Sequence, residues 1–339
     1  MMSDSRQGAV ATWLAVCAAM VLAMTMLGGA TRLTHSGLSI VEWQPIVGTL
    51  PPLTDADWNT TFEKYQQTPE YKLVNNGMSL DAFKGIFWWE YFHRLLGRTI
   101  GFVFLLPLLY FWWRGALTRS LARVLLGLFI LGGLQGFMGW YMVSSGLVDE
   151  PAVSPFRLTA HLLLAFAIFG GMWWTALSLW HPRASHTTTA GVRRLSWITT
   201  VLVLYMAATG GFVAGIHAGL SNNTFPLMSG YVVPPEILMM EPWWKNFFYN
   251  MATVQFDHRL GGWTLAVLVP VLVWKIRASA ADGRTRRAAL LLIAMLTVQI
   301  TLGITTLLWF VPVPLAVLHQ GGAVLLFAAA LNLNHALRR

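Results

Sequence analysis

The chain has 339 residues, of which 56% are hydrophobic and only 11% charged; soluble domains carry roughly 25% charged residues. Its formal charge of +9 would suit a nucleic-acid surface, but the basic residues gather in short connections between apolar blocks. There they set membrane topology, and nucleic acid is excluded as a partner. The one cysteine, Cys17, lies inside the first block, which excludes an intrachain disulfide or thiolate cluster and suits a small apolar filler.

Eight apolar blocks follow in chain order, at about 11–30, 87–113, 121–143, 156–179, 194–214, 252–276, 287–309 and 313–335. Each is near the ~20 residues that cross a bilayer core as a helix. They are apolar throughout, whereas barrel strands would alternate. The first ends in AMTMLGGA, a weak likeness to a signal cleavage site, but the fifth ends in the similar YMAATGGF deep in the chain, and both are read as spanning helices. The chain is thus predicted to be an all-α integral membrane protein with eight transmembrane helices. The connection 31–86, rich in Trp, Tyr and Pro, is expected to form an ordered cap with short interfacial helices.

Arg114, Arg119 and Arg123 lie between blocks two and three. Arg183, Arg193 and Arg194 lie between four and five, and Lys275, Arg277, Arg284, Arg286 and Arg287 between six and seven; Arg338 and Arg339 end the chain. Most acids, from Glu42, Asp55, Asp57, Glu63, Glu70 and Asp81 to Asp149, Glu150, Glu236 and Glu241, fall in the alternate connections. The positive-inside rule then puts both termini in the cytoplasm and the cap outside.

The chain repeats itself. GGATRLTHSGLS from Gly28 parallels GGFVAGIHAGLS from Gly210, an offset of 182 that also relates His35 to His217. His93 pairs with His258, Gln135 with Gln299 and His161 with His319 at offsets of 165, 164 and 158, shrinking mainly because the first half has the longer outer loop. Two tandem four-helix bundles, residues 1–182 and 183–339, are expected. An even helix number per half inserts both in one orientation, related by a pseudo-two-fold axis along the membrane normal.

Of nine histidines, His181, His186 and His335 are expected to be solvated. His93, His161, His258 and His319 stand about one and a half turns into blocks two, four, six and eight, each entered from outside, so the imidazoles share one depth. Intramembrane ionisable groups are costly and mark function. A bare Zn²⁺ or Cu²⁺ would want further ligands, and no carboxylate or thiol completes the second-half set. Haem needs only axial ligands, so two bis-histidine haem sites are expected: His93 with His161, and His258 with His319. Arg94, Arg98 and Arg259 either pair with propionates or snorkel to the interface. The glycines of LGGLQGFMG (131–139) allow close approach of a helix or a porphyrin, and Gln135 and Gln299 are expected to hydrogen-bond internally. His35 and His217 either fix their turns or touch a haem or redox partner.

The halves differ at one position. EYFHR (90–94) carries Glu90 where QFDHR (255–259) carries Gln255, which cannot ionise. Glu90 is three residues before His93 and shares its helix face, so the first slot holds a carboxylate able to act as a base or stabilise a developing cation. Its plainer role is an ion pair with Arg94. Asp257, about 100° round the helix from His258, is expected to brace the arginines.

These motifs, with lone His161 and His319 and the four-plus-four duplication, resemble haem A synthase over the whole chain. The resemblance implies oxidation of a ring methyl of haem O to a formyl, giving haem A for terminal oxidases, by successive hydroxylations with water as oxygen source and loss of water from a gem-diol. It implies that His93 and His161 hold the substrate haem O, that Glu90 is the catalytic carboxylate, and that His258 and His319 ligate a resident haem b. It also implies handover of substrate from haem O synthase, an unnamed electron acceptor, and compatibility with a homo-oligomer. Without loop cysteines the chain resembles the cysteine-poor proteobacterial and mitochondrial branch, and a bacterial inner membrane is expected. Two other readings of the residues stay open: a dihaem cytochrome b oxidising quinol with Glu90 as a proton exit, and a haem-binding or delivery protein without chemistry.

Overall fold

The computed structural model describes residues 4–42, 47–148, 151–182 and 188–338. In chain order the helices are α1 (Asp4–Leu33), α2 (Asp55–Gln66), α3 (Pro69–Leu73), α4 (Leu80–Trp113), α5 (Arg119–Val143), α6 (Pro155–Trp180), α7 (Ala190–Gly215), α8 (Asn246–Tyr249), α9 (Met251–Arg277), α10 (Gly283–Leu308) and α11 (Val313–Ala336). Eight of them, all but α2, α3 and α8, are long and apolar enough to cross a membrane, and the chain is a multi-pass membrane protein. Their starts follow local chemistry: side chains of Ser79, Thr118, Thr189, Asn250 and Asp282 cap α4, α5, α7, α9 and α10, and Pro155 opens α6. His186, Arg183, Asp149, Glu150 and Arg339 lie outside the described residues, as does the start of the second expected half.

Helices α1, α6, α7 and α11 pack on one another at the centre, with α4 and α5 flanking one side and α9 and α10 the other. Without a hydrophobic drive in lipid, association rests on close packing and buried hydrogen bonds. The indole of Trp13 donates to the Val103 carbonyl (2.8 Å), that of Trp173 to Ala328 (3.2 Å), and the Asn334 amide to the Thr200 hydroxyl (2.5 Å).

The second span differs from expectation at its start. It begins at Leu80, not near 87, because Ser79 caps it and its first two turns pack into the cap. There Trp58, Tyr65, Phe83, Phe87 and Tyr91 form a second buried cluster, separate from the membrane core. The expected ordered cap with short helices is present as α2 and α3. Inside it Glu70 is only 6% exposed and accepts the Tyr65 hydroxyl (3.1 Å). Burial raises this carboxyl to about 7, opposed by the Tyr65 hydrogen bond and reinforced by the charge of Glu90. A raised acid favours the folded cap when neutral. Its contribution is whole below the ordinary value of 4.5 and is lost as pH rises through about 7. Hydrogen exchange of α2 and α3, corrected for intrinsic rate, is expected to accelerate between pH 6 and pH 8 and to lose that step in Glu70→Gln. An identical step in the variant would remove Glu70 as its cause.

Candidate active site

Each of the four intramembrane histidines lies against a glycine on a neighbouring helix. A Cβ on Gly28 of α1 would meet His93 Cε1 at 2.8 Å, one on Gly139 of α5 His161 at 3.2 Å, one on Gly210 of α7 His258 at 3.3 Å, and one on Gly303 of α10 His319 at 2.9 Å. A Cβ on Gly28 or Gly303 would force the ring to shift, and one on Gly139 or Gly210 would crowd it. All four glycines come four or five residues before their helices end at Leu33, Val143, Gly215 and Leu308, and the imidazoles therefore sit at the cap end of the molecule. Of the glycines in 131–139, only Gly139 is approached this way; Gly132, Gly133 and Gly136 face open space.

The glycines that seat His93 and His258, Gly28 of α1 and Gly210 of α7, are each followed by a second. Gly29 backs onto the Gln320 amide and Gly211 onto Thr159. Gln320 adjoins His319, and Thr159 stands two residues before His161. Both glycine pairs therefore touch a histidine of their own half with one face and a neighbour of the other half's histidine with the next.

The rings of His258 and His319 have centroids 6.5 Å apart at 83°. Two imidazoles sharing an iron, with bonds of about 2 Å, would place their centroids roughly 6 Å apart, so the pair fits a bis-histidine haem. Buried Nδ1 atoms of His93, His161 and His319 lack a hydrogen-bond partner, whereas His258 Nδ1 contacts the Thr209 hydroxyl at 2.9 Å. That hydroxyl donates to the Met206 carbonyl (3.2 Å), which leaves its oxygen as acceptor. His258 therefore carries its proton on Nδ1 and keeps the lone pair of Nε2 for a metal. At the offset of 182 the counterpart of Thr209 is Leu27. Gln135 and Gln299 hydrogen-bond internally as expected, donating to the carbonyls of His161 (3.1 Å) and His319 (2.9 Å). No group of three or more His, Cys, Asp or Glu able to hold a bare metal ion occurs among the described residues.

Glu90 is 3% exposed. Its Oε2 accepts the Ser39 hydroxyl and the Ile40 amide, both at 2.8 Å; its Oε1 accepts Arg94 Nη2 at 2.6 Å and Nε at 3.0 Å. In the other half Gln255 donates to the Ala218 carbonyl (2.8 Å) and accepts from Arg259 (3.2 Å). The turn after α1 thus presents donors and the turn after α7 a carbonyl, which explains locally why one position takes a carboxylate and the other an amide. The arginines match: Arg94 Nη2 donates to Ile40 O (2.7 Å) and Arg259 Nη2 to Asn222 O (2.6 Å), carbonyls 182 residues apart. Arg94 also reaches the Glu42 carbonyl (2.9 Å). Arg98 lies one turn deeper on α4, half-buried.

Residues 11–331 match the model of the cytochrome oxidase assembly protein family. The chain belongs to this family. It is 60% identical to the Heme A synthase of Nitrosospira multiformis, with 98% of this chain and 94% of that protein covered. It is 53% identical to the Heme A synthase of Nitrosomonas eutropha (95% and 92% covered), and 45% identical to that of Parvibaculum lavamentivorans (99% and 96% covered).

In this member of the assembly family two further residues sit differently from expectation. Asp257 accepts the Tyr205 hydroxyl (3.1 Å) rather than bracing an arginine, since the helix turns it away from Arg259 and toward α7. His335 is fully buried, not solvated, because the last turn of α11 is held against α6 and α10. His35 and His217 both adopt left-handed backbone, φ 51° and 56°, and stack at 6.4 Å. Burial, Arg32 and His35 lower His217 below its ordinary value. Sequence reasoning missed Thr209, Ser39 and the backbone amide of Ile40. The only signal for Thr209 was a hydroxyl residue beside the glycine pair, where the other half has leucine.

Proposed function

We propose that this chain is a haem A synthase, oxidising a ring methyl of haem O to a formyl group. The observation that carries this reading is the near-complete match to relatives of that name; the glycine-seated histidines supply the residues. The net change is R–CH₃ + H₂O → R–CHO + 4H⁺ + 4e⁻, with water as oxygen source and the electrons leaving to an acceptor that the sequence does not name. Haem O, received from a haem O synthase, is held as substrate by His93 and His161. Glu90 lies on the His93 face of α4, and four donor contacts fix its carboxylate in place beside the substrate. There it stabilises cationic character at the reacting carbon and receives a proton. Arg94 holds that carboxylate in place, and Arg94, Arg98 and Arg259 set the charge near the propionates.

In the C-terminal half, His258 and His319 hold a resident haem b. When bound, it supplies one-electron storage between the substrate and the acceptor. The two halves are read as tandem repeats, residues 1–182 and 183–339, in a bacterial inner membrane with cytoplasmic termini and the haem sites toward the outside. The matched arginine, glutamine and glycine contacts support the repeat, and the distribution of basic residues supports the orientation. A reporter active only outside the membrane is expected to work when fused near Asp57 or Glu236 and to fail near Asp282; the reverse would invert the orientation. Activity is tested by supplying haem O to the purified protein and identifying the extracted pigment by mass, where absence of formyl haem from a haem-loaded, folded sample would overturn the reading.

Thr209 gives a second test. Accepting the Nδ1 proton makes His258 a more electron-rich ligand, which favours the oxidised metal. Thr209→Val keeps the shape and removes the acceptor, so the midpoint potential of bound haem b is expected to rise with haem content unchanged. Leu27→Thr should leave that potential where it is. An unaltered potential in Thr209→Val would show that the hydrogen bond does not tune this ligand.

A further inference from the structure

The end of the molecule opposite the cap holds a cluster that the haem chemistry does not use. His335, 0% exposed, lies between two guanidiniums. Arg284 Nη2 is 2.8 Å from its Nδ1, and Arg338 Nη1 contacts its Nε2. A neutral imidazole accepts at one nitrogen only, so both arginines cannot be satisfied by this ring. The Ser178 hydroxyl beside it accepts Arg338 (3.1 Å) and spends its own proton on the Trp174 carbonyl (2.9 Å). Arg338 also donates to the His181 carbonyl. Burial followed by the charges of Arg284 and Arg338 lowers His181, as expected where positive groups crowd together. The carboxylate acting on Arg284 is Asp282, and it is already engaged in capping α10 through Thr285 N (2.7 Å).

Next to this cluster is a cavity of about 280 Å³ between the ends of α6, α10 and α11, lined by His181, Arg284, Arg287, Ala288, Leu291 and Asn332. No carboxylate is among its described lining residues. Arg284 and Arg287 are one turn apart on α10, Ala288 leaves room beside them, and exposed Leu291 continues the same face one turn into the apolar span. The mouth is cationic and the floor leads to hydrocarbon. That gradient suits a phosphate attached to acyl chains rather than a free ion. We infer that this cavity binds the headgroup of an anionic phospholipid, its phosphodiester between Arg284 and Arg287 and an acyl chain along Leu291. The lipid completes the donor-rich cluster that fixes the end of α11 to α6 and α10. This assignment is independent of the haem sites.

The test uses the purified full chain in nanodiscs of phosphatidylcholine, alone or with a fraction of phosphatidylglycerol. Melting temperature and lipid retained in native mass spectrometry are read together. The anionic lipid is expected to raise the melting temperature of the unaltered protein. Arg287→Gln, on an exposed side chain, should bind it about fivefold more weakly, the effect of one arginine near a lipid surface, and lose most of the shift. Arg286→Gln removes an equally exposed charge outside the cavity and should keep the shift. Equal responses from the two variants would reduce the effect to general surface attraction and overturn the site. Inorganic phosphate in phosphatidylcholine discs should not reproduce the shift; full reproduction would overturn the lipid assignment in favour of a free anion.

Discussion

Glu90→Gln is expected to leave the protein folded with its haem b in place while haem O, or a partly oxidised alcohol, accumulates at the expense of haem A. The loss of turnover should be about 10²-fold or more, the scale set by removing a fixed charge that stabilises a transition state. Breaking a buried ion pair can cost ~3–5 kcal/mol when one partner is left bare. Here Arg94 is not left bare, because it also donates to the carbonyls of Ile40 and Glu42. The other half supplies a built example, in which Gln255 accepts from Arg259 while that arginine holds Asn222 O. Glutamine at position 90 can still accept from Ser39 or Ile40. The measurement is the ratio of haem O, alcohol and haem A to bound haem b. A ratio equal to wild type would mean that Glu90 only secures Arg94 and the cap, and that the proton and charge roles assigned to it are wrong.

Replacing His258 or His319 by leucine is expected to abolish the low-spin haem b spectrum, with the expressed chain still inserted. Losing either of the two imidazoles that would hold the haem would weaken or abolish its binding. His93→Leu serves as comparison: it should block oxidation and retain the haem b spectrum. Reduced-minus-oxidised absorbance and extracted haem per mole of protein decide the matter. An unchanged spectrum in both second-half variants would place the resident haem elsewhere.

The eight spans were legible because hydrocarbon thickness dictates block length and leaves few alternatives. The histidines were legible because charge-capable groups in apolar blocks are conspicuous. The start of α4 was not, since Leu80–Phe87 mixes Asp81 and Lys84 with aromatics and packs against a cap whose contacts no local pattern announces. His335 was misjudged because proximity to a terminus suggests solvent, while the fate of that turn depends on Arg284 and Ser178, distant in sequence. Asp257 was misjudged because neighbours in sequence, Arg259 included, point elsewhere on a helix, and its partner Tyr205 comes from α7. The exchange of Glu90 for Gln255 was visible as an asymmetry. Its local cause, donors on one turn and a carbonyl on the other, required the backbone.

The doubled glycines of α1 and α7 bear on how such a molecule can evolve. Gly28 and Gly29 serve His93 and Gln320, and Gly210 and Gly211 serve His258 and Thr159, so each pair borders one histidine directly and a second through its neighbour. A lesion in either pair disturbs the surroundings of two histidines at once. Matched positions can differ in chemistry, as Glu90 against Gln255 and Leu27 against Thr209 attest. Their places are harder to change one at a time, because each glycine pair packs against one histidine and against a close neighbour of another.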